Sequence, residues 1–383
     1  MAEKKPITWP FNAWMAAISI GLLIGIFGAV MLLIRGHGPT TGTTDQIPWG
    51  ISIATYVFFV AASAGCVTVS LGHALGIKGF ELVIKRAVLL ALVTLLAGGI
   101  LIILDLGSPL RVINFLLSPN LASPMWWMLL FYVLYLVLLV IDFYLLHKYD
   151  LKKARIVGVL APLAAIAVHS TLGAVFGFAS VRTYFGGAFA PVYFILTAIV
   201  IGTALLLFVT TLQSRVTKKE MSPELHSLTT TLGKFLGVVL GIAILFIIWK
   251  DLAGLYSSVE TTAQAYRYIL FGPASWWYWG IGILMGLIIP LFLLLNPRTR
   301  NLNGILAAST LVLIGMFAAR FEYTLGGQVV ALFQGLQHLQ WPFASYSLTF
   351  IEISVVILAF AVSALLYTLA TKKLALEEVP RQL

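Results

Sequence analysis

The chain of 383 residues is 60% hydrophobic and only 10% charged, with a mean hydropathy of +1.01. Soluble domains carry about a quarter charged residues, so this composition excludes a soluble globular protein and predicts a polytopic membrane protein. A net charge of +10 would suggest nucleic acid binding in a soluble protein. Here most of the lysines and arginines lie in the loops and termini on one side of the predicted spans, so no nucleic acid partner is expected. The single cysteine, Cys66, excludes a disulfide framework and a Cys-ligated iron–sulfur cluster within this chain.

Ten hydrophobic segments are long enough to span a bilayer, which takes about 20 apolar residues. The first follows Lys4 and Lys5 like a signal peptide, but it is too long and lacks a small-residue cleavage site, so we expect it to be retained. The fold class predicted is therefore all-α. The ten predicted helices cover 12–34, 49–75, 84–104, 125–146, 155–180, 189–213, 228–249, 276–295, 302–323 and 346–370.

The lysines and arginines predict the orientation. Eighteen of them lie in the N-terminus, the C-terminus and the loops or helix ends after helices 2, 4, 6 and 8, against five on the opposite side. Loops rich in Lys and Arg face the cytoplasm, so both termini are predicted to be cytoplasmic in an inner-membrane protein. The outer loops are long and rich in Gly, Pro and aromatic residues, which favours a surface that packs against a partner.

A repeated sequence pattern divides the chain into two similar halves with flanking helices. An Asp-Leu pair followed by a Trp-Trp pair occurs after helix 3 and again after helix 7, and helices 5 and 9 end in similar Arg-containing segments. These echoes predict two parallel four-helix bundles, helices 2–5 and 6–9, flanked by helices 1 and 10. The corresponding domains are 1–48, 49–188, 189–323 and 324–383.

Charged residues at membrane depth are rare and usually functional, so those within or beside the spans are the candidates for chemistry. The catalytic candidates are Asp105, His169 and Arg182. Aromatic residues that could line a ligand cleft are Tyr56, Phe59, Trp126 and Trp127. Candidates for a proton path are Asp142, Asp251, Arg320, Glu322 and Glu352.

Each candidate also has a structural interpretation. The tryptophans can be interfacial anchors, His169 can be a buried histidine bonded to a carbonyl, and Arg182 and Arg320 can form ion pairs. No two histidines lie on facing helices at matching depth, so a bis-histidine haem is not expected. A quinone fits better, because its site needs an apolar cleft and titratable groups at its oxygens. His169 lies 13 residues below Arg182, about 20 Å, so the head group is expected near Asp105 and Arg182.

Several segments resemble the NrfD/PsrC family of membrane subunits, and the likeness covers essentially the whole chain. Arg320 with residues 326–328, and Tyr346 with Glu352, resemble the ten-helix branch that includes HybB and DsrP. The resemblance implies two four-helix bundles, no haem, and a quinone site in the first bundle near the outer face. The segments that carry the family likeness are 48–51, 63–65, 105–111, 123–126 and 169–170.

The sequence thus predicts the haem-free, quinone-interacting membrane subunit of a respiratory oxidoreductase complex. It would exchange electrons between a quinone, with menaquinone expected, and a ferredoxin-like iron–sulfur subunit docked on outer loops 105–124 and 181–190. Further redox subunits would complete the complex, and proton transfer could be coupled to the reaction. Two alternatives stay open at this point: a secondary transporter, or a passive membrane anchor for the iron–sulfur subunit.

Overall fold

The computed structural model describes residues 11–179, 182–218, 220–273, 275–330, 343–374 and 376. In these residues the only extended pairing is an isolated bridge between Val330 and Phe343. Ten helices are long and apolar enough to cross a membrane, which confirms the predicted all-α class. In chain order they are α1 Phe11–Arg35, α2 Ile51–Ala74, α3 Ile84–Asp105, α4 Pro124–Lys148, α5 Leu151–Gly177, α6 Phe189–Thr217, α7 Pro223–Leu255, α8 Trp277–Leu295, α9 Leu302–Gly326 and α10 Phe350–Lys373.

Most of the short helices lie in loops on the side away from the basic loops, which we call the outer side after the predicted orientation; Phe80–Leu82 lies in the basic loop after α2. The loop before α4 contains Pro109–Ile113 and Asn114–Leu117, and the loop before α6 contains Thr183–Phe185. An amphipathic helix, Glu260–Phe271, precedes α8. These elements place polar side chains over the outer ends of the spans.

Capping residues explain where the observed boundaries depart from the predicted ones. Helix α7 begins at Pro223 because the Ser222 side chain accepts a hydrogen bond from the Leu225 amide at 3.2 Å, so the helix extends beyond its apolar segment. Helix α10 begins four residues later than predicted because Thr349 and Glu352 form a capping box. Hydrophobic length alone does not detect either signal.

The helices pack in two rings. In the first, α2 packs on α3, α3 on α4, α4 on α5 and α5 on α2; helices α6 to α9 repeat this arrangement. The rings meet where α2 packs on α6 and α9, and where α5 packs on α6. These contacts are consistent with two four-helix units, and the repeat relation and the domain boundaries stay predictions. Helix α10 packs on α1, α2 and α3, outside the first ring.

The central contact joins α2 to α6 at two glycines. A methyl group added to Gly65 or to Gly202 would overlap the backbone of the opposite helix. Small residues allow helices in a membrane to approach closely and gain packing energy. Helix α2 is buried along almost its whole length, so this crossing lies at the centre of the molecule.

Candidate functional site

The carboxylate of Glu352 lies at the outer N-terminus of α10 and is 2% exposed. Its Oε1 accepts a hydrogen bond from the Tyr346 hydroxyl at 2.6 Å. Its Oε2 accepts from the Gly42 amide at 2.9 Å, and from the Thr349 amide at 3.1 Å and hydroxyl at 3.0 Å. The capping bonds and the helix dipole both favour a carboxylate at this position.

The Tyr346 hydroxyl connects this carboxylate to the first ring of helices. It accepts a hydrogen bond from the Ile51 amide at 3.0 Å, at the first residue of α2. Gly50 leaves room for this contact, since an added methyl group would lie 2.7 Å from both Glu352 Oε1 and the Tyr346 hydroxyl. Burial and the hydrogen bond to Glu352 raise the pKa of Tyr346, so its phenol is neutral and can donate.

His37 and Asp105 complete the outer site, which we define as His37, Asp105, Tyr346 and Glu352. The His37 ring follows α1 and lies beside Gly107; its Nε2 is buried without a hydrogen-bond partner among the described residues. Burial lowers the pKa of His37, and Glu352 opposes this effect. Asp105, the last residue of α3, is half-buried, and it feels the negative charge of Glu352 at the outer end of α10, which packs on α3.

A second group of polar side chains lies inside the first ring, below the outer site. The hydroxyls of Tyr56 and Tyr132 are 2.7 Å apart, and those of Ser63 and Tyr135 are 2.9 Å apart. Asp142 lies two turns further along the same buried face of α4, about 10 Å from Tyr135 along the axis. It is 1% exposed, and its Oδ2 has no partner in the described part of the chain.

The outer half of the second ring holds a charged group that we call the second-bundle cluster: Tyr184, Lys250, Asp251, Tyr278 and Glu322. Lys250 Nζ lies 3.2 Å from Asp251 Oδ1 and 3.4 Å from the Tyr184 hydroxyl. The Tyr184 hydroxyl donates to Glu322 Oε1 at 2.5 Å, and the Tyr278 hydroxyl donates to Asp251 Oδ2. The cluster therefore pairs one cation directly with Asp251 and, through the Tyr184 hydroxyl, with Glu322, while Tyr278 adds a hydrogen bond to Asp251.

Arg320 and His169 both lie close to Phe194 of α6, where the two rings of helices meet. The Arg320 guanidinium donates to the Thr197 hydroxyl and lies 4.3 Å from the centre of the Phe194 ring. The His169 ring centre is 5.9 Å from the same ring, and neither of its nitrogens has a partner among the residues the structure describes. The ion pair considered for Arg320 and the carbonyl bond considered for His169 are both absent from this described region.

Arg182 forms no ion pair with Asp105 among the described residues, and its guanidinium is used by loop carbonyls. Its Nη1 donates to the Gln328 carbonyl at 3.0 Å and its Nη2 to the Gln46 carbonyl at 2.5 Å. It follows the last residue of α5 by five positions, so its side chain joins two outer loops.

The four aromatic candidates also separate. Tyr56 faces Tyr132 inside the first ring, whereas Phe59 packs on Phe360 of α10 at 4.8 Å between ring centres. The indole of Trp126 donates to the Phe115 carbonyl at 2.7 Å, and that of Trp127 to the Leu121 carbonyl at 2.8 Å. The tryptophans therefore fasten the outer loop 105–124 to the start of α4, and the four aromatics do not line one cleft.

Sequence reasoning missed several members of these groups. His37 is not among the sequence candidates, because it lies outside the predicted spans, although loop residues can fold over the end of a helix bundle. Tyr132 and Tyr135 share one face of α4 with the proton-path candidate Asp142, and this helical spacing is a signal that the sequence contains. No group of three or more His, Cys, Asp or Glu side chains that could hold a metal occurs in the described ranges.

Comparisons with known proteins agree with this architecture. The chain is 29% identical to the Hdr-like menaquinol oxidoreductase integral membrane subunit of Archaeoglobus fulgidus, over 98% of both chains. It is 26% identical to a selenate reductase subunit of Mesobacillus selenatarsenatis, over 82% of both chains. It is 25% identical to the menaquinone reductase integral membrane subunit of Nitratidesulfovibrio vulgaris, over 82% of this chain and 80% of the relative. The family model described as polysulphide reductase, NrfD, matches residues 39–331, most of the chain, so this multi-pass membrane protein belongs to the NrfD family.

Proposed function

We propose that this protein exchanges electrons between a membrane quinone, menaquinone by its relatives' names, and an iron–sulfur subunit docked on its outer face. Two relatives carry menaquinol or menaquinone in their names and are integral membrane subunits. The main support for the proposal is the arrangement of side chains in the outer site. There a buried, unpartnered His37 Nε2 lies near the carboxylates of Asp105 and Glu352.

The residues of the outer site fit the head group of a quinone. A bound quinone supplies two-electron chemistry that takes up or releases two protons. Its two oxygens need hydrogen-bond partners, and the unpaired His37 Nε2 is a buried polar atom that needs one too. The Tyr346 phenol already donates its proton to Glu352, so His37 Nε2 is the polar atom left to pair with a quinone oxygen, and Asp105 can hold or release a proton beside it.

The roles within the site follow from the number of contacts. Glu352 is fixed by four hydrogen bonds, so it positions Tyr346 and the N-terminus of α2. Asp105 has no hydrogen bond or ion pair in the described region, so it is the freer carboxylate and the better proton acceptor. General acid–base groups of this kind typically contribute a factor of about 10² to 10⁴ to a rate.

We extend the proposal to protons in the first ring. The hydroxyl pairs Tyr56–Tyr132 and Ser63–Tyr135 lie in order below the outer site, and the unpartnered Asp142 follows them toward the basic side. Hydroxyls donate and accept at once, so such a row can pass a proton when waters fill the gaps. The second-bundle cluster is the alternative path, through Lys250, Tyr184 and Glu322.

The iron–sulfur partner is proposed to dock on the outer loops. Loop 105–124 exposes Leu110 at 90%, Leu117 at 72% and Leu121 at 64%, an apolar surface that a partner would cover. The other loop considered for docking, 181–190, buries Tyr184 and Phe185, so it supports the surface from beneath. The matching loop of the second ring exposes Tyr256 at 86%, which extends the surface.

The test is quinol-coupled turnover of the assembled complex with Asp105→Asn and Glu352→Gln. We expect Asp105→Asn to lower turnover by about 10² or more, while reduction of a soluble dye by the partner subunits is unchanged. Asp45→Asn is the matched control, because Asp45 is an exposed carboxylate in the same group of outer loops. Full quinol turnover in an assembled Asp105→Asn complex would contradict the outer site and favour a quinone site in the second bundle.

A further inference from the structure

A separate cavity of about 610 Å³ lies in the half of the molecule that carries the basic loops. Sites for small molecules and cofactors typically measure about 300 to 1,000 Å³, so this cavity has the size of a ligand site. It is bounded by α1, α2, α3, α6, α9 and α10, and most of its wall is aliphatic or phenylalanine side chain. None of the residues of the outer site or of the second-bundle cluster lines it.

The cavity is as deep as one leaflet of a bilayer. Its deep end lies at Phe59 and Phe360, near the middle of α2 and α10, and its basic end lies at Lys372. Phe360 and Lys372 are 12 residues apart on α10, about 18 Å along the helix. Half of a hydrocarbon core of about 30 Å is about 15 Å, the depth that one acyl chain of one leaflet occupies.

The cavity can be entered sideways from the membrane. At its edge, Ile314 of α9 is 48% exposed and Phe360 of α10 is 44% exposed. Helix α10 packs on α1, α2 and α3, but it is not closely packed against α9. An apolar chain in the bilayer can therefore reach the interior between α9 and α10.

Most polar groups that line the cavity lie near its basic end, away from Thr94 and Ser363. Lys372 is the one charged side chain in its described lining, and its Nζ lies 4.8 Å from the centre of the Phe11 ring. Nearby, the Trp14 indole donates to the Thr368 hydroxyl at 3.0 Å, and the Tyr367 hydroxyl donates to Gln213 at 3.3 Å. A cation and an array of hydroxyl and amide groups at the membrane surface suit an anionic phosphate.

The deep end does not suit a redox head group. Phenylalanine rings surround it, and its one unpaired polar atom among the described residues is the Ser363 hydroxyl. A quinone there would lack titratable neighbours for its two protons. An acyl chain needs none.

We propose that this cavity binds one phospholipid with an anionic head group, with an acyl chain between α9 and α10 and the phosphate at Lys372. The lipid would fill the space between the first ring, α1 and α10, and so hold α10 in place against α3. This inference uses residues outside the outer site and stands whether or not that site binds a quinone.

The test uses the full complex in nanodiscs that contain phosphatidylglycerol with a diazirine at the end of one acyl chain. After illumination, we expect adducts on the α2 peptide at Phe59 and Ala62, which are 3% and 1% exposed and beyond the reach of surrounding lipid. Phosphatidylcholine with the same chain should label this peptide about fivefold less, the factor expected for one lysine at an anionic surface. Lys372→Gln should remove that preference, and Lys373→Gln, which changes the neighbouring lysine outside the cavity, should keep it.

Labelling confined to lipid-facing helix surfaces, or equal labelling by both lipids in the wild type, would overturn the proposal. So would loss of the α2 adducts on adding excess menaquinone, since the cavity would then hold a quinone. Val209→Phe places a ring in the cavity and should abolish the α2 adducts. Because wild-type labelling carries the main result, a Val209→Phe variant that fails to fold leaves the test intact.

Discussion

Replacing Lys250 with methionine tests how the second-bundle cluster is held together. Lys250 is 7% exposed and is the cation that faces Asp251 at 3.2 Å, with the rings of Tyr184 and Tyr266 at 5.4 and 5.2 Å from its Nζ. Methionine keeps the length of the side chain and removes its charge, which leaves Asp251 and Glu322 buried with no cation in the cluster. Breaking a buried pair from one side typically costs about 3 to 5 kcal/mol, because the remaining charge is uncompensated.

The assay is reversible unfolding of the purified protein in mild detergent, followed by tryptophan fluorescence. The matched control is Lys153→Met, which breaks a pair of the same 3.2 Å length with Asp150 whose side chains are 72% and 35% exposed. It should cost far less stability, because water screens an exposed pair. Adding Asp251→Asn to Lys250→Met should recover part of the loss. Equal stability of Lys250→Met and Lys153→Met would refute the reasoning. It would show that the interaction of Lys250 with Asp251 and Glu322 contributes no net stability to the folded protein.

Three further predictions concern packing, pH and docking. Gly202→Ala should destabilise the protein by about 1 to 3 kcal/mol or more in the same unfolding assay, because the added methyl group meets the α2 backbone. The control Gly99→Ala, which has open space around it, should be neutral or slightly stabilising. Burial lowers the pKa of His37 in the folded protein, so the unfolded chain takes up a proton on this histidine more readily. The free energy of unfolding should therefore fall as the pH drops below about 6.5, and it should fall less in His37→Gln. Trp126→Phe leaves the Phe115 carbonyl without its donor, so loop 105–124 should become more susceptible to protease and the iron–sulfur subunit should bind several-fold more weakly.

The helices were predictable from the sequence because each buries a long apolar segment, and a membrane imposes its thickness on that length. All ten predicted spans appear in the structure. Their ends were less predictable, since the Ser222 side chain and the Thr349–Glu352 capping box set helix starts through polar contacts that hydropathy does not register.

The candidate site was predictable in composition and less so in arrangement. Asp105, Glu352 and Tyr56 were found as polar residues in apolar segments, but their partners depend on which helices are neighbours. Packing of α10 beside α3 brings Glu352 near Asp105, although the two residues are far apart in the chain. The turn after α5 directs Arg182 to loop carbonyls, and a count of residues along the helix cannot show this.

The most direct test of the account is to find where the quinone head group binds. A menaquinone analogue with a photoreactive group on its ring would be illuminated with the assembled complex, and the adducts mapped by mass spectrometry. If the quinone binds at the outer site, we predict adducts within residues 37–50, 105–111 or 343–352, which surround that site. These adducts should be lost when excess menaquinone competes. Adducts confined to the second-bundle cluster, or to the cavity at Phe59 and Phe360, would contradict it.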